Sequence, residues 1–259
     1  MNNLNLFFRK YGHHVPTLVI LHGLLGSSQN WQRAAKALEK KFRVLVVDQR
    51  NHGSSPHTET HTFADLREDI KHFFDQQRLD KAYVLGHSMG GLAAMEFAFH
   101  YPERLAGLII EDIAPRAYQS SSNDILRALG AVDLGIVTLR DEVEAILAKE
   151  IKSRRTRQFL LTNLVRREDN TFAWKVNLPV LQQFQNEMAA YEPPLGASYS
   201  GKTLFIGGER SDYRLDHDHD VILRHFPNSE LVMIPQAGHW IHFEALELFT
   251  EAVLKFILS

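Results

Sequence analysis

The chain has no cysteine among its 259 residues. That single absence excludes disulfide cross-links, a thiolate nucleophile and any cysteine-ligated metal. A surplus of either charge is missing too. With a formal net charge of −2, there is no global field to gather nucleic acid or an anionic membrane. No apolar run is long enough to cross a bilayer. Residues 1–10 lack a basic stretch followed by an apolar segment, so no secretory signal is visible. The expectation is a soluble cytoplasmic protein.

The bulk composition is ordinary, at 44% hydrophobic and 23% charged residues. That is enough for one large α/β domain or a domain with an insertion. Thr17-Leu18-Val19-Ile20-Leu21, Arg43-Val44-Leu45-Val46-Val47, Ala82-Tyr83-Val84-Leu85 and the run over 105–110 are apolar throughout. They alternate with helical patterns over 30–38, 63–74 and 92–99. Such a rhythm predicts a mostly parallel sheet covered by helices on both faces, with residues 4–11 as an edge strand. From about residue 116 to 199 the pattern turns helical, with one weak strand-like piece at 171–176. A capping box is expected from Thr138 with Asp141, and a helix start at Asn177 before Pro179. Strands resume at 202–206 and 230–234, and a last amphipathic helix covers 243–258. The fold class is therefore α/β, with a core of residues 1–115 and 200–259 interrupted by a helical insertion over 116–199. Residues 118–123, rich in serine, are the expected connector.

Gly86-His87-Ser88-Met89-Gly90-Gly91 is the most informative motif. A direct turn from buried strand to helix leaves its central residue strained and crowded, and glycines two positions either side relieve the collision. Ser88 would then stand at the end of a sheet over the positive end of a helix, as a nucleophile elbow. A serine nucleophile needs a base, a group that orients the base, and donors for the developing oxyanion. In this topology those groups lie just beyond the carboxyl ends of strands. Of 14 histidines, His239 in Gly238-His239-Trp240 follows the last strand and is the expected base. Asp112, after the strand at 105–110, and Asp212, after the strand at 202–206, both qualify as the acid. The backbone N–H groups of Met89 and Leu24 are the expected oxyanion donors, with His22 bracing the loop.

His22-Gly23-Leu24-Leu25-Gly26, Asp48-Gln49-Arg50-Asn51-His52-Gly53, the Ser88 motif, Asp112-Ile113-Ala114-Pro115 and Gly238-His239-Trp240 occur together and in order. In combination they resemble the α/β-hydrolase superfamily, specifically the bacterial YbfF-like esterases related to the ABHD11 type of eukaryotic hydrolase. The resemblance runs nearly end to end, with the insertion its least distinctive part. It implies an α/β-hydrolase fold whose insertion is a lid, and a serine carboxylesterase acting through an acyl-enzyme without cofactor or metal. Ser88 and His239 carry over directly, and the Asp-Ile-Ala-Pro segment points to Asp112. The chain departs from that pattern by also having Asp212. The expected partner is a small acyl ester or thioester. Phe159, Leu160, Phe172 and Trp174 are available to an acyl chain, or to the insertion's own core.

Other features carry less. The alternating Asp216-His217-Asp218-His219-Asp220 diverges around a helix and reads as a solvated helix start. His239 and His242 lack the context of a zinc helix. Arg154, Arg155, Arg157, Arg166 and Arg167 read as an exposed face or, alternatively, a landing site for an anionic substrate. Two rival functions use the same fold: proton abstraction with elimination, and non-enzymatic binding of a small molecule.

Overall fold

Along the central strands successive side chains enter opposite faces, and both sets are buried and apolar. Val19, Leu21, Leu45, Val47 and Val84 join one cluster, while Leu18, Ile20, Val44, Val46 and Leu85 join the other. A sheet hydrophobic on both sides must be covered on both sides. The structure is a computed structural model and describes residues 4–118 and 122–259. Part of the expected connector, residues 119–121, lies outside the described residues.

The strands are β1 (Phe8–Tyr11), β2 (Thr17–Leu21), β3 (Arg43–Val47), β4 (Ala82–His87), β5 (Leu105–Glu111), β6 (Leu164–Arg166), β7 (Phe172–Trp174), β8 (Thr203–Gly208) and β9 (Ser229–Ile234). Seven of them form one sheet in the order β1-β3-β2-β4-β5-β8-β9. Only the β1–β3 pair in that sheet is antiparallel. The helices are α1 (Gln32–Leu38), α2 (Phe63–Gln76), α3 (Met89–His100), α4 (Ser122–Gly130), α5 (Arg140–Glu150), α6 (Arg154–Leu161), α7 (Leu178–Ala189), α8 (His219–His225), α9 (Ile241–Glu244) and α10 (Leu246–Leu258). α2, α3 and α8 contribute to the first cluster, and α1 and α10 to the second.

α3 is buried from Met89 to Ala98, as befits a helix that is apolar on every side. α2 is amphipathic, and its start is fixed by a reciprocal pair. Asp65 N–H donates to Thr62 Oγ1 at 3.0 Å, and Thr62 N–H donates to Asp65 Oδ2 at 3.1 Å, satisfying two otherwise orphaned donors.

Between β5 and β8 the chain forms α4 to α7 and the β6–β7 hairpin, with a third apolar cluster that includes Leu129, Val143, Leu147, Leu161 and Leu181. Leu25 from the loop after β2 belongs to it as well, so the insertion is seated on the carboxyl end of the sheet.

Several local expectations shift. The helix expected from residue 30 begins at Gln32. The strand-like piece at 171–176 narrows to β7 and pairs with β6, which has no strand signature in so short a run. The last helix breaks into α9 and α10, with Ala245 between them in a non-helical conformation (φ −133°, ψ 53°). The cap expected from Asp141 is supplied by Glu142, whose carboxylate accepts from Thr138 N–H at 2.8 Å and Leu139 N–H at 3.2 Å. Asp218 is not solvated. It is buried and accepts from Arg116 Nε at 2.7 Å.

At the carboxyl edge of the sheet β2 and the start of α3 nearly touch. A Cβ on Gly90 would lie 2.5 Å from the Leu21 carbonyl oxygen and 2.6 Å from that of His22. Both obstacles are backbone and cannot rotate away. Gly90→Ala is therefore expected to destabilise the fold by about 2 kcal/mol or more, measured by chemical denaturation. An unchanged midpoint would contradict the close approach.

Candidate active site

Ser88 lies between β4 and α3 with φ 52° and ψ −121°, a region that costs a residue with a side chain about 1–3 kcal/mol. Its N–H donates to the Glu111 carbonyl at 3.1 Å, and its carbonyl accepts from Gly91 and Leu92 N–H at 2.8 and 3.1 Å. These bonds hold the turn against its strain. The side chain opens onto a cavity of about 280 Å³ also lined by His239, Leu24, Tyr213, Trp31 and Trp240.

Asp112 follows β5 at φ 55° and is wholly buried. An ionised carboxylate there requires full hydrogen bonding. Oδ1 accepts from Gly208 N–H at 3.0 Å, and Oδ2 accepts from the Ser211 hydroxyl and from His239 Nδ1–H, the latter at 2.7 Å. This fixes the tautomer that leaves His239 Nε2 free. Asp212 is exposed at the cavity rim, and it is Ser211 beside it that turns inward. Thus Asp112 and His239 are brought together, with Asp212 left outside their bond. Ser88 and His239 face the same cavity, and among the described residues no hydrogen bond joins Ser88 Oγ to His239 Nε2.

The loop after β2 packs against the elbow. A Cβ on Gly23 would meet His87 Nδ1 at 2.7 Å and Ser88 Cβ at 3.2 Å, so the loop that carries Leu24 lies against Ser88. Leu25 N–H donates to His52 Nε2 at 3.1 Å and Gly26 N–H to the Gly23 carbonyl at 2.9 Å. Among the described residues no acceptor pairs with the Leu24 N–H, which leaves that donor available. His22 braces the loop as expected: Nδ1–H donates to the Gly23 carbonyl at 2.8 Å, and Nε2 accepts from Gln49 N–H at 3.0 Å.

Behind the cavity wall, His242 Nδ1 lies 2.9 and 3.0 Å from the two Glu111 carboxylate oxygens. His87 Nε2–H donates to the His239 carbonyl at 2.9 Å. Trp31 stacks on His242 with ring centroids 3.9 Å apart. His87, Glu111 and His242 are the group among the described residues whose ligand atoms come near enough to hold a metal, and these bonds already occupy the Glu111 carboxylate, His242 Nδ1 and His87 Nε2. Burial pushes the Glu111 carboxyl up to about 7 and the His87 imidazole down to about 3.

Of the four insertion residues offered for an acyl chain, Phe159 and Leu160 line the cavity. Phe172 and Trp174 do not, because β7 directs them into the insertion's own cluster, with the Arg166 guanidinium 4.5 Å from the Phe172 ring. Of the arginines, Arg155 pairs with Glu244 at 3.0 Å, and Arg157 turns back on the carbonyls of Ile151 and Lys152. Gly208, Ser211 and Tyr213 are site residues that local pattern could not single out. The only available signal was their place just after a strand.

A family model described as alpha/beta hydrolase fold matches residues 16–246. The chain is 35% identical over 248 residues to the sn-1-specific diacylglycerol lipase ABHD11 of Danio rerio, covering 93% of this chain and 78% of the relative. It is 31% identical to Esterase YbfF of Escherichia coli, covering 95% and 94% respectively. Among solved structures, a marine microorganism esterase superposes with a TM-score of 0.95 at 37% identity, covering 98% of this chain and 99% of that one.

The buried histidines generate a pH prediction. Burial lowers His22, His52, His61, His87 and His242 below the ordinary 6.5. Depressed values stabilise the fold above pH 6.5, and that contribution is lost as pH falls toward 3. Glu111 has the opposite sign: its raised value favours the fold at low pH and ceases to do so as pH rises through about 7. Five groups outweigh one. The unfolding free energy should fall by about 3 kcal/mol per unit between about pH 6 and 5, a net uptake of about two or more protons. Denaturant titrations across that range check it, and a flat profile would contradict it.

Proposed function

Because the chain belongs to the α/β-hydrolase family, among esterases of the YbfF and ABHD11 type, we propose that it hydrolyses carboxylic esters, and also acyl thioesters, through a covalent acyl-enzyme on Ser88. The observation that carries this reading is the 2.7 Å bond between His239 Nδ1 and the buried Asp112, beside a serine held at a strained turn in the same cavity.

Ser88 Oγ attacks the acyl carbon while His239 Nε2 accepts its proton, and Asp112 stabilises the resulting imidazolium. The carbonyl oxygen becomes an oxyanion held by the N–H groups of Met89, at the start of α3, and Leu24. On collapse the bond to the alcohol or thiol breaks, and His239 returns the proton to that leaving group. Water then attacks the acyl-enzyme, gives a proton to His239, and the carboxylic acid departs as Ser88 Oγ regains its hydrogen. The bond between Ser88 and His239 forms when substrate is seated, since such contacts tighten in the reactive complex. The insertion over 116–199 acts as a cap, with Phe159 and Leu160 against the acyl chain. The small cavity favours short acyl groups.

Fluorophosphonate should label the wild-type protein and fail to label Ser88→Ala. With an ester and acyl-thioester panel, Asp112→Asn should lower kcat by about 10⁴, while Asp212→Asn stays within about threefold, as expected of an exposed residue. Collapse in Asp212→Asn with little change in Asp112→Asn would overturn the choice of acid. Retained labelling of Ser88→Ala would overturn Ser88 as the nucleophile, and an unlabelled wild type with no ester turnover would favour an elimination chemistry or a binding role.

A further inference from the structure

We infer that Tyr213 is a positioning residue for His239: its ring stacks on the imidazole with centroids 4.1 Å apart and planes 8° from parallel, fixing the base and stabilising it when it carries the proton. The inference rests on the catalytic reading above. An aromatic face carries negative charge density, so a cation stacked against it is held more tightly than the neutral ring.

The stack is prepared by its surroundings. Tyr213 N–H donates to Ser211 Oγ at 3.2 Å, and Ser211 is itself bound to Asp112. The segment that secures the acid therefore also presents the ring. Arg116 Nη2 donates to the Tyr213 carbonyl at 3.3 Å while its Nε is tied to Asp218 at 2.7 Å. The ring of Tyr118 packs behind, 5.0 Å away. With these contacts Tyr213 is held in place on the imidazole. Among the described residues no other ring lies flat on His239: His87 is inclined by 44° and Trp240 by 52°.

The charged and titratable groups around His239 come from four directions. Asp112 and Glu111 sit at the end of β5, His87 at the end of β4, His242 in α9, and Asp212 at the rim. Burial holds His87 and His242 neutral, and Asp112 is hydrogen-bonded to His239 Nδ1 at 2.7 Å. The Tyr213 face meets the same ring from its flat side.

The test is the pH profile of kcat/KM on a short-chain nitrophenyl ester for wild type, Tyr213→Phe and Tyr213→Leu, with Ser88→Ala and His239→Ala run alongside. Tyr213→Phe keeps the face and should keep the acid limb in place, while loss of the hydroxyl that contacts Ser88 lowers kcat without moving that limb. Tyr213→Leu should move the acid limb down by about half to one pH unit and lower kcat about tenfold with little change in KM. If Tyr213→Leu does not fold, Tyr213→Met, which keeps length without a π face, should show the same displacement. An unmoved acid limb in the ringless variants, or an equal displacement of the limb in Tyr213→Phe, would overturn the inference while inactive Ser88→Ala and His239→Ala leave the catalytic reading standing. Wild-type turnover in either of those two would overturn that reading and this inference with it.

Discussion

The arrangement depends on one buried carboxylate. Asp112 is removed from water completely, and an ion in that position is tolerable only when its lone pairs are taken by well-aligned donors. Those donors come from residues 96, 99 and 127 positions away in sequence. The register of β5 against β8, and of β8 against β9, therefore decides whether the acid is satisfied. Asp112 N–H itself donates to the Ile206 carbonyl at 2.8 Å, extending the ladder one step past β5. A slip of one residue would bury the carboxylate without partners, so the need to satisfy it also enforces the pairing.

The same economy governs Ser88 and the loop opposite it. Ser88 is held in an unfavourable conformation by bonds on both its amide and its carbonyl, with an apolar helix anchored beneath. The facing loop is secured by two neutral imidazoles, His22 and His52, each donating through one nitrogen and accepting through the other. A ring that does both suits a site where a backbone donor must stay rigid and unshared, because a protonated ring could no longer accept.

Much of this was legible before any coordinates. Wholly apolar strands between helices imply a sheet covered on both sides, and the glycine spacing around Ser88 implies its turn. His239 stood out because it follows the last strand. The choice between Asp112 and Asp212 was not legible by local reasoning. Both residues follow strands, and what separates them is that Ser211 turns inward while Asp212 turns out. The family resemblance points to Asp112, and Asp112 is the one of the two that is hydrogen-bonded to His239. Three-residue strands such as β6 are too short to leave a period. Asp218 read as solvated because its partner, Arg116, lies 102 residues away. Tyr213 escaped notice for a related reason: stacking between distant segments leaves no trace in the spacing of either one.

The outermost strand, β1, has a further consequence. It pairs only with β3, so its other margin offers unpaired amides and carbonyls to any neighbouring molecule. That margin is only 4 residues long, and its two middle side chains are Arg9 and Lys10. Short length and adjacent positive charges make such a border a poor template for another chain. Of the sheet's two edges, β1 and β9, the one at β1 is thus guarded against fibrous self-association.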